Sequence, residues 1–168
     1  SRYDDFNLGR ITEQQFWQSL VQQDCTSLRQ VFLDSFKLDA EFSQLLNMLE
    51  GRYRLAILSN LPAPWADELI KKFQFKISFN PCLFSGHARC KKPQPEIYRQ
   101  LVLTSGVDPQ YIAFIDDRLE NLQTASELGM TTIYYQRDVE SHPFQPDFSI
   151  TKLNELLALQ FVQGEIDI

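Results

Sequence analysis

From residue 54 onward, short apolar runs alternate with segments of helical period, and few architectures accommodate that pattern. "RLAILSN" (54–60), "YIAFIDD" (111–117) and "TTIYY" (131–135) are continuous apolar runs with polar ends, as expected of strands covered on both faces. "CLFS" (82–85) reads as a further short strand. Between them, "PAPWADELIKKF" places Trp65, Leu69, Ile70 and Phe73 on one stripe. "PEIYRQLVLTSG" and "RLENLQTASELG" have helical spacing and stop at Gly106 and Gly129. "TKLNELLALQ" (151–160) predicts a closing helix. Strands alternating with helices of this length specify βαβ units, an α/β fold and a parallel sheet.

The first fifty residues read as helices. Thr12 with Gln15 three positions on is a capping-box signal, and Phe16, Leu20 and Val21 follow on one face. "EFSQLLNMLEG" sets Phe42, Leu45, Leu46 and Leu49 at helical spacing, with Gly51 as the stop. The expected division is therefore a helical segment, 1–50, and an α/β core, 51–168. With 168 residues, 43% of them hydrophobic and 13 of them Phe, the chain can bury one sizeable core.

Charge and cysteine usage narrow the function classes. Sixteen basic against 22 acidic residues give a net charge of −6, and no Lys/Arg block exceeds two residues. This argues against a nucleic-acid or anionic-membrane surface. No apolar run has the length of a membrane span, and no secretory signal is visible. Cys25, Cys82 and Cys90 are odd in number and form no C-x-x-C pair, the pattern of reduced thiols in a cytoplasm. His87 and His142 have no ligand-like spacing to them, which argues against structural zinc.

In a parallel sheet the ligand sits at the carboxyl ends of the strands, and three polar signals fall near such ends. Ser59-Asn60 ends one strand and Asp116-Asp117 ends another; Lys92 stands before Pro93 and Pro95, which lead into a helix. Each has a plain structural reading. Ser59 fits a hydrogen-bonded strand terminus or a cap, Lys92 a solvated lysine, and Asp117 a cap for the helix beginning near Arg118. Capping accounts for one aspartate and not for two. Paired carboxylates with Asn121 one helical turn away suit a hard cation such as Mg²⁺. A hydroxyl, an ammonium and a metal-binding acid pair together form the set that phosphoryl transfer requires.

The ordered segments "LAILSN", "KKPQPEIY" and "AFIDDRLENLQTASELGM" resemble the second, third and fourth motifs of the haloacid dehalogenase-like hydrolases. The nearest likeness is to their helical-cap phosphatase branch, which includes the phosphatase domain of soluble epoxide hydrolase. "YDDFNLGRITEQQFW" is similar to the middle of that branch's cap. The resemblance implies a Rossmann-like doubly wound core with a small helical cap, and a Mg²⁺-dependent phosphatase acting on a small phosphorylated metabolite through an aspartyl-phosphate. It implies that Ser59 and Asn60 bind the phosphoryl group and that Lys92 neutralises it together with the nucleophile. Asp117 would bind Mg²⁺, with Asp116 and Asn121 arranging the metal and the lysine.

The family's first motif, an Asp-x-Asp ending the first central strand, has no counterpart in the sequence. Asp4-Asp5 follow only Ser1-Arg2-Tyr3, and Asp39 opens a helix, so no strand delivers either. The sequence is thus expected to begin inside the cap and to lack the first central strand and its nucleophile. The strands ending in Ser59 and Asp116 would then keep open apolar edges, and the chain alone would be inactive. A non-catalytic phosphate- or metal-binding protein on the same scaffold and a haloacid dehalogenase are the alternatives. The dehalogenase branch needs no metal and generally lacks the acid pair. A response-regulator receiver is set aside because its acids precede its hydroxyl and lysine in sequence. Phe6, Phe16 and Trp17 are candidate pocket residues, Phe16 also fitting the core, and His87 lies on the loop that carries Lys92. Substrate identity and oligomeric state stay open at this level.

Overall fold

The computed structural model describes residues 1–21, 25–39, 41–137 and 141–159. In chain order its elements are α1 (Arg2–Asn7), α2 (Glu13–Gln18), α3 (Thr26–Ser35), α4 (Phe42–Leu49), β1 (Ile57–Ser59), α5 (Ala63–Phe73), β2 (Cys82–Phe84), α6 (Ser85–Ala88), α7 (Pro95–Ser105), β3 (Ala113–Asp116), α8 (Leu119–Glu127), β4 (Thr131–Tyr135) and β5 (Phe148–Ile150). Short 3₁₀ turns at Phe75–Ile77, Pro109–Tyr111 and Leu153–Ala158 complete the set. The chain divides into two compact units, residues 1–38 with 54–101 and residues 39–53 with 102–168.

In the first unit β1 pairs with β2 in parallel, Ser59 opposite Phe84. Asn80 N–H to the Leu55 carbonyl (2.8 Å) and Ile57 N–H to the Pro81 carbonyl (2.9 Å) extend the pairing. The core is aromatic: Phe6, Phe16, Leu33 and Trp65 are buried together, with Ile11, Trp17, Phe32 and Leu61 packed against them. The Thr12–Gln15 capping box forms as expected, with Gln15 N–H to Thr12 Oγ1 at 3.2 Å and Thr12 N–H to Gln15 Oε1 at 2.8 Å. Helix α2 nevertheless ends at Gln18, so Leu20 leaves the stripe and stands 59% exposed. Six residues make under two turns, too few to carry the apolar face onward.

In the second unit β3, β4 and β5 form a parallel sheet in that order. Leu45 of α4, Ile133, Ile150 and Leu156 make its core cluster. Thr132 fastens the start of β5: its N–H and Oγ1 both donate to Asp147 Oδ2 (2.8 and 2.7 Å), while Asp147 N–H donates to Thr132 Oγ1 (3.0 Å).

The parallel α/β class expected from the sequence is what the structure has. Coverage of the strands differs from expectation. β1 is half-buried throughout, and β3 alternates, with Phe114 and Asp116 buried and Ile115 40% exposed. Both strands lie at the end of their sheets, so each is paired along a single edge among the described residues. The closing helix is replaced by the 3₁₀ turn at Leu153–Ala158, and Gln160 lies outside the described residues.

Candidate active site

The first unit carries Ser59, Asn60 and Lys92. β1 delivers Ser59 at its carboxyl end, half-buried, and its hydroxyl bonds to none of the described residues. Asn60 turns its side chain onto the backbone of Lys92: Nδ2 donates to the Lys92 carbonyl at 2.9 Å, and Oδ1 accepts from the Lys92 N–H at 2.8 Å. Lys92 precedes α7, which opens at Pro95, as the two prolines predict. The chain after Asn60 is held from below by α6. Ser85, fully buried, contacts Asn7 Oδ1 through its hydroxyl and the Leu61 carbonyl at 3.3 Å, and Gly86 N–H donates to the same carbonyl at 3.1 Å. Sequence reasoning missed Asn7, Ser85 and Gly86; their only signal is the Ser-Gly pair directly after an apolar run.

Lys91, beside Lys92, reaches α1 and bonds to Asp4. That ammonium first, and then the Ser1 hydroxyl, hold the Asp4 carboxyl well below the usual carboxylate range. A lowered folded-state value stabilises the fold above the ordinary Asp range, about pH 4, and the contribution fades as pH falls below it. Asp4→Asn is therefore expected to lower the urea midpoint near neutrality and to converge with the parent protein in acid, which flattens the acid limb of the midpoint-versus-pH curve. Parallel acid limbs for the two proteins would show that the contact carries no such linkage.

The second unit carries Asp116, Asp117 and Asn121. β3 delivers Asp116 nearly buried, and its Oδ1 accepts from the Arg118 N–H and from Asn121 Nδ2, both at 2.9 Å. Asn121 itself is 3% exposed. Asp116 thus closes an Asx turn just ahead of α8. Asp117 does not cap α8, whose N-cap residue is Arg118 and which has no side-chain cap. Its carboxylate is exposed and bonds to no described residue.

Among the described residues no three His, Cys, Asp or Glu side chains gather as a ligand set. Asp116 and Asp117 are adjacent carboxylates, and a cation held by such a pair would take its other oxygens from water or substrate. That is how Mg²⁺ is usually held, since it keeps several waters and takes one or two carboxylates.

The remaining candidates divide between the core, a hollow and the surface. Phe6 and Phe16 stack at 4.9 Å inside the core. Trp17 is half-buried and borders a hollow of about 400 Å³ with Arg29 and Cys25. His87 lies in α6 and faces Asp67 at 3.3 Å on the exposed surface.

A family model described as haloacid dehalogenase-like hydrolase matches residues 7–135. The chain is 24% identical to the drimenol cyclase of Aspergillus calidoustus over 81% of its own length and 28% of the cyclase. It is 23% identical to the phosphorylated carbohydrates phosphatase of Thermotoga maritima over 63% of its own length and 50% of that enzyme. It therefore spans half or less of these two relatives. Its fold is that of a HAD-family enzyme from Bacteroides thetaiotaomicron crystallised with magnesium and inorganic phosphate, with a TM-score of 0.72 at 23% identity over 86% of this chain and 80% of that one. The Rossmann-like parallel architecture, the ordered strand-end residues and the long family match agree, and the chain belongs to the haloacid dehalogenase-like hydrolase family.

Proposed function

We propose that this chain carries phosphoryl-binding and metal-binding elements of a Mg²⁺-dependent phosphatase acting on a small phosphorylated metabolite. The observation that carries the reading is the state of the acid pair. Asp116 is engaged by Asn121 and Arg118, while Asp117 presents an exposed carboxylate bonded to no described residue. A dehalogenase would have no use for that second acid. The helices of residues 1–50 would serve as cap to the core of 51–168. Three free cysteines accord with a cytoplasmic, reducing setting, and no helix among the described residues is long and apolar enough to cross a membrane.

In this reading Ser59 donates its hydroxyl hydrogen to a phosphoryl oxygen, and the Lys92 ammonium neutralises the group's charge. Asp117 and Asp116 would hold Mg²⁺, which when bound supplies positive charge of the kind that phosphoryl transfer uses. Asn121 keeps Asp116 oriented through its 2.9 Å hydrogen bond. No Asp-x-Asp occurs in the sequence, so binding is expected here without turnover.

Calorimetric titration with Mg²⁺ in the presence of inorganic phosphate tests this. Asp117→Asn is expected to weaken Mg²⁺ binding by about tenfold or more, the scale on which losing a site carboxylate is felt. Equal affinities in the two proteins would remove Asp117 from the metal site and the phosphatase reading with it. Binding of phosphate and Mg²⁺ by a longer chain bearing an Asp-x-Asp, with no hydrolysis, would favour a binding protein instead.

A further inference from the structure

Asn60 and Lys92 are 32 positions apart, yet one side chain satisfies both backbone polar groups of the other residue. A carboxamide offers a donor and an acceptor in one plane, so it can pair with a peptide N–H and C=O together, as a neighbouring strand would. Asn60 directly follows Ser59, whose place is fixed by the register of β1 against β2. Through this ring of two bonds, the backbone at Lys92 is tied to the strand end that bears the hydroxyl.

We infer that Asn60 is a positioning residue that acts on the phosphoryl group through Lys92, and that it is not itself a ligand of that group. The inference rests on the reading of Ser59 and Lys92 as a phosphoryl site. Both functional ends of the carboxamide point at the Lys92 backbone, and the two bonds, at 2.8 and 2.9 Å, have ordinary unstrained lengths. What the amide contributes is a fixed origin for the long lysine side chain, so that fewer of its conformers carry the ammonium away from the Ser59 hydroxyl. Serine or alanine at position 60 would leave the Lys92 N–H and carbonyl to water and free that origin.

The test combines amide hydrogen exchange with a double-mutant cycle, read by phosphate titration in the presence of Mg²⁺. In the parent protein the Lys92 amide is expected to be protected, because its N–H is bonded to Asn60; free exchange there would overturn the inference without any variant. Asn60→Ala, or the milder Asn60→Ser should alanine not fold, is expected to weaken phosphate binding about tenfold, the scale on which supporting residues are felt. The same change in a Lys92→Met background, which keeps the backbone groups but removes the ammonium, is expected to cost less than about twofold, because coupled residues do not add. Equal losses in both backgrounds would make Asn60 a direct ligand and overturn the inference alone. A parent protein that binds no phosphate would overturn both the phosphoryl site and this role within it.

Discussion

Gly86→Ala should be among the most damaging single substitutions in the chain. A Cβ built on Gly86 lies 2.1 Å from the Ala63 nitrogen, 2.8 Å from the Pro62 carbonyl carbon and 2.9 Å from the Ala63 Cα. All three are backbone atoms, so no side chain can rotate out of the way. The start of α6 and the segment leading into α5 would have to part, which also breaks the Gly86 N–H bond to the Leu61 carbonyl. Overpacking of this kind costs about 3 kcal/mol or more, against a total stability of about 5–15 kcal/mol for a domain. Urea unfolding measures it directly. Gly51→Ala is the control, since nothing lies within 4 Å of its added Cβ, and the strain of its positive φ costs about 1 kcal/mol. A loss at Gly86 no larger than at Gly51 would mean that the close crossing can relax.

The second large effect is expected at Trp65. Its side chain is 2% exposed, with ring centroids 4.3 Å from Phe32, 5.0 Å from Phe6 and 5.8 Å from Phe16. Its indole Nε1 donates to Glu13 Oε1 at 2.7 Å, and the same oxygen accepts from Arg29 Nε at 2.7 Å and Trp17 Nε1 at 3.2 Å. One carboxylate oxygen therefore joins α2, α3 and α5. Trp65→Ala should cost about 3–5 kcal/mol through the cavity alone. Trp65→Phe keeps much of the ring and removes the donor, leaving Glu13 two of its three partners, and should cost about 1–2 kcal/mol. The two losses are compared from urea midpoints. Equal losses would place the stabilisation in the hydrogen bond and not in the aromatic packing.

Local chemistry was legible in the sequence, and pairing across long separations was not. The end of β1 at Ser59 and of β3 at Asp116 could be read because an apolar run stops there at polar residues. Gly106 and Gly129 announced their helix ends, and both adopt positive φ. Leu20 was misplaced because periodicity does not say when a short helix stops without a sequence-level terminator. β5 was missed because three residues, Phe148-Ser149-Ile150, form too short a pattern; its place is set by Thr132 and Asp147 from outside the strand. At the candidate site, residue types could be chosen, but Asn60 meeting the Lys92 backbone depends on where the chain returns in space, and the sequence pattern does not say which of two adjacent aspartates closes the local turn onto the Arg118 N–H.

The Thr132–Asp147 fastening has a consequence for how such a chain can diversify. It ties Thr132 in β4 to Asp147, the residue before β5, so the register of the two strands is supported by contacts that lie outside the connection between Gln136 and Pro146. Doubling the length of a closed loop costs only about 0.6 kcal/mol. Insertions there are cheap and do not shift β5, which makes this connection a place where new recognition surface can be added while the sheet beneath it stays the same.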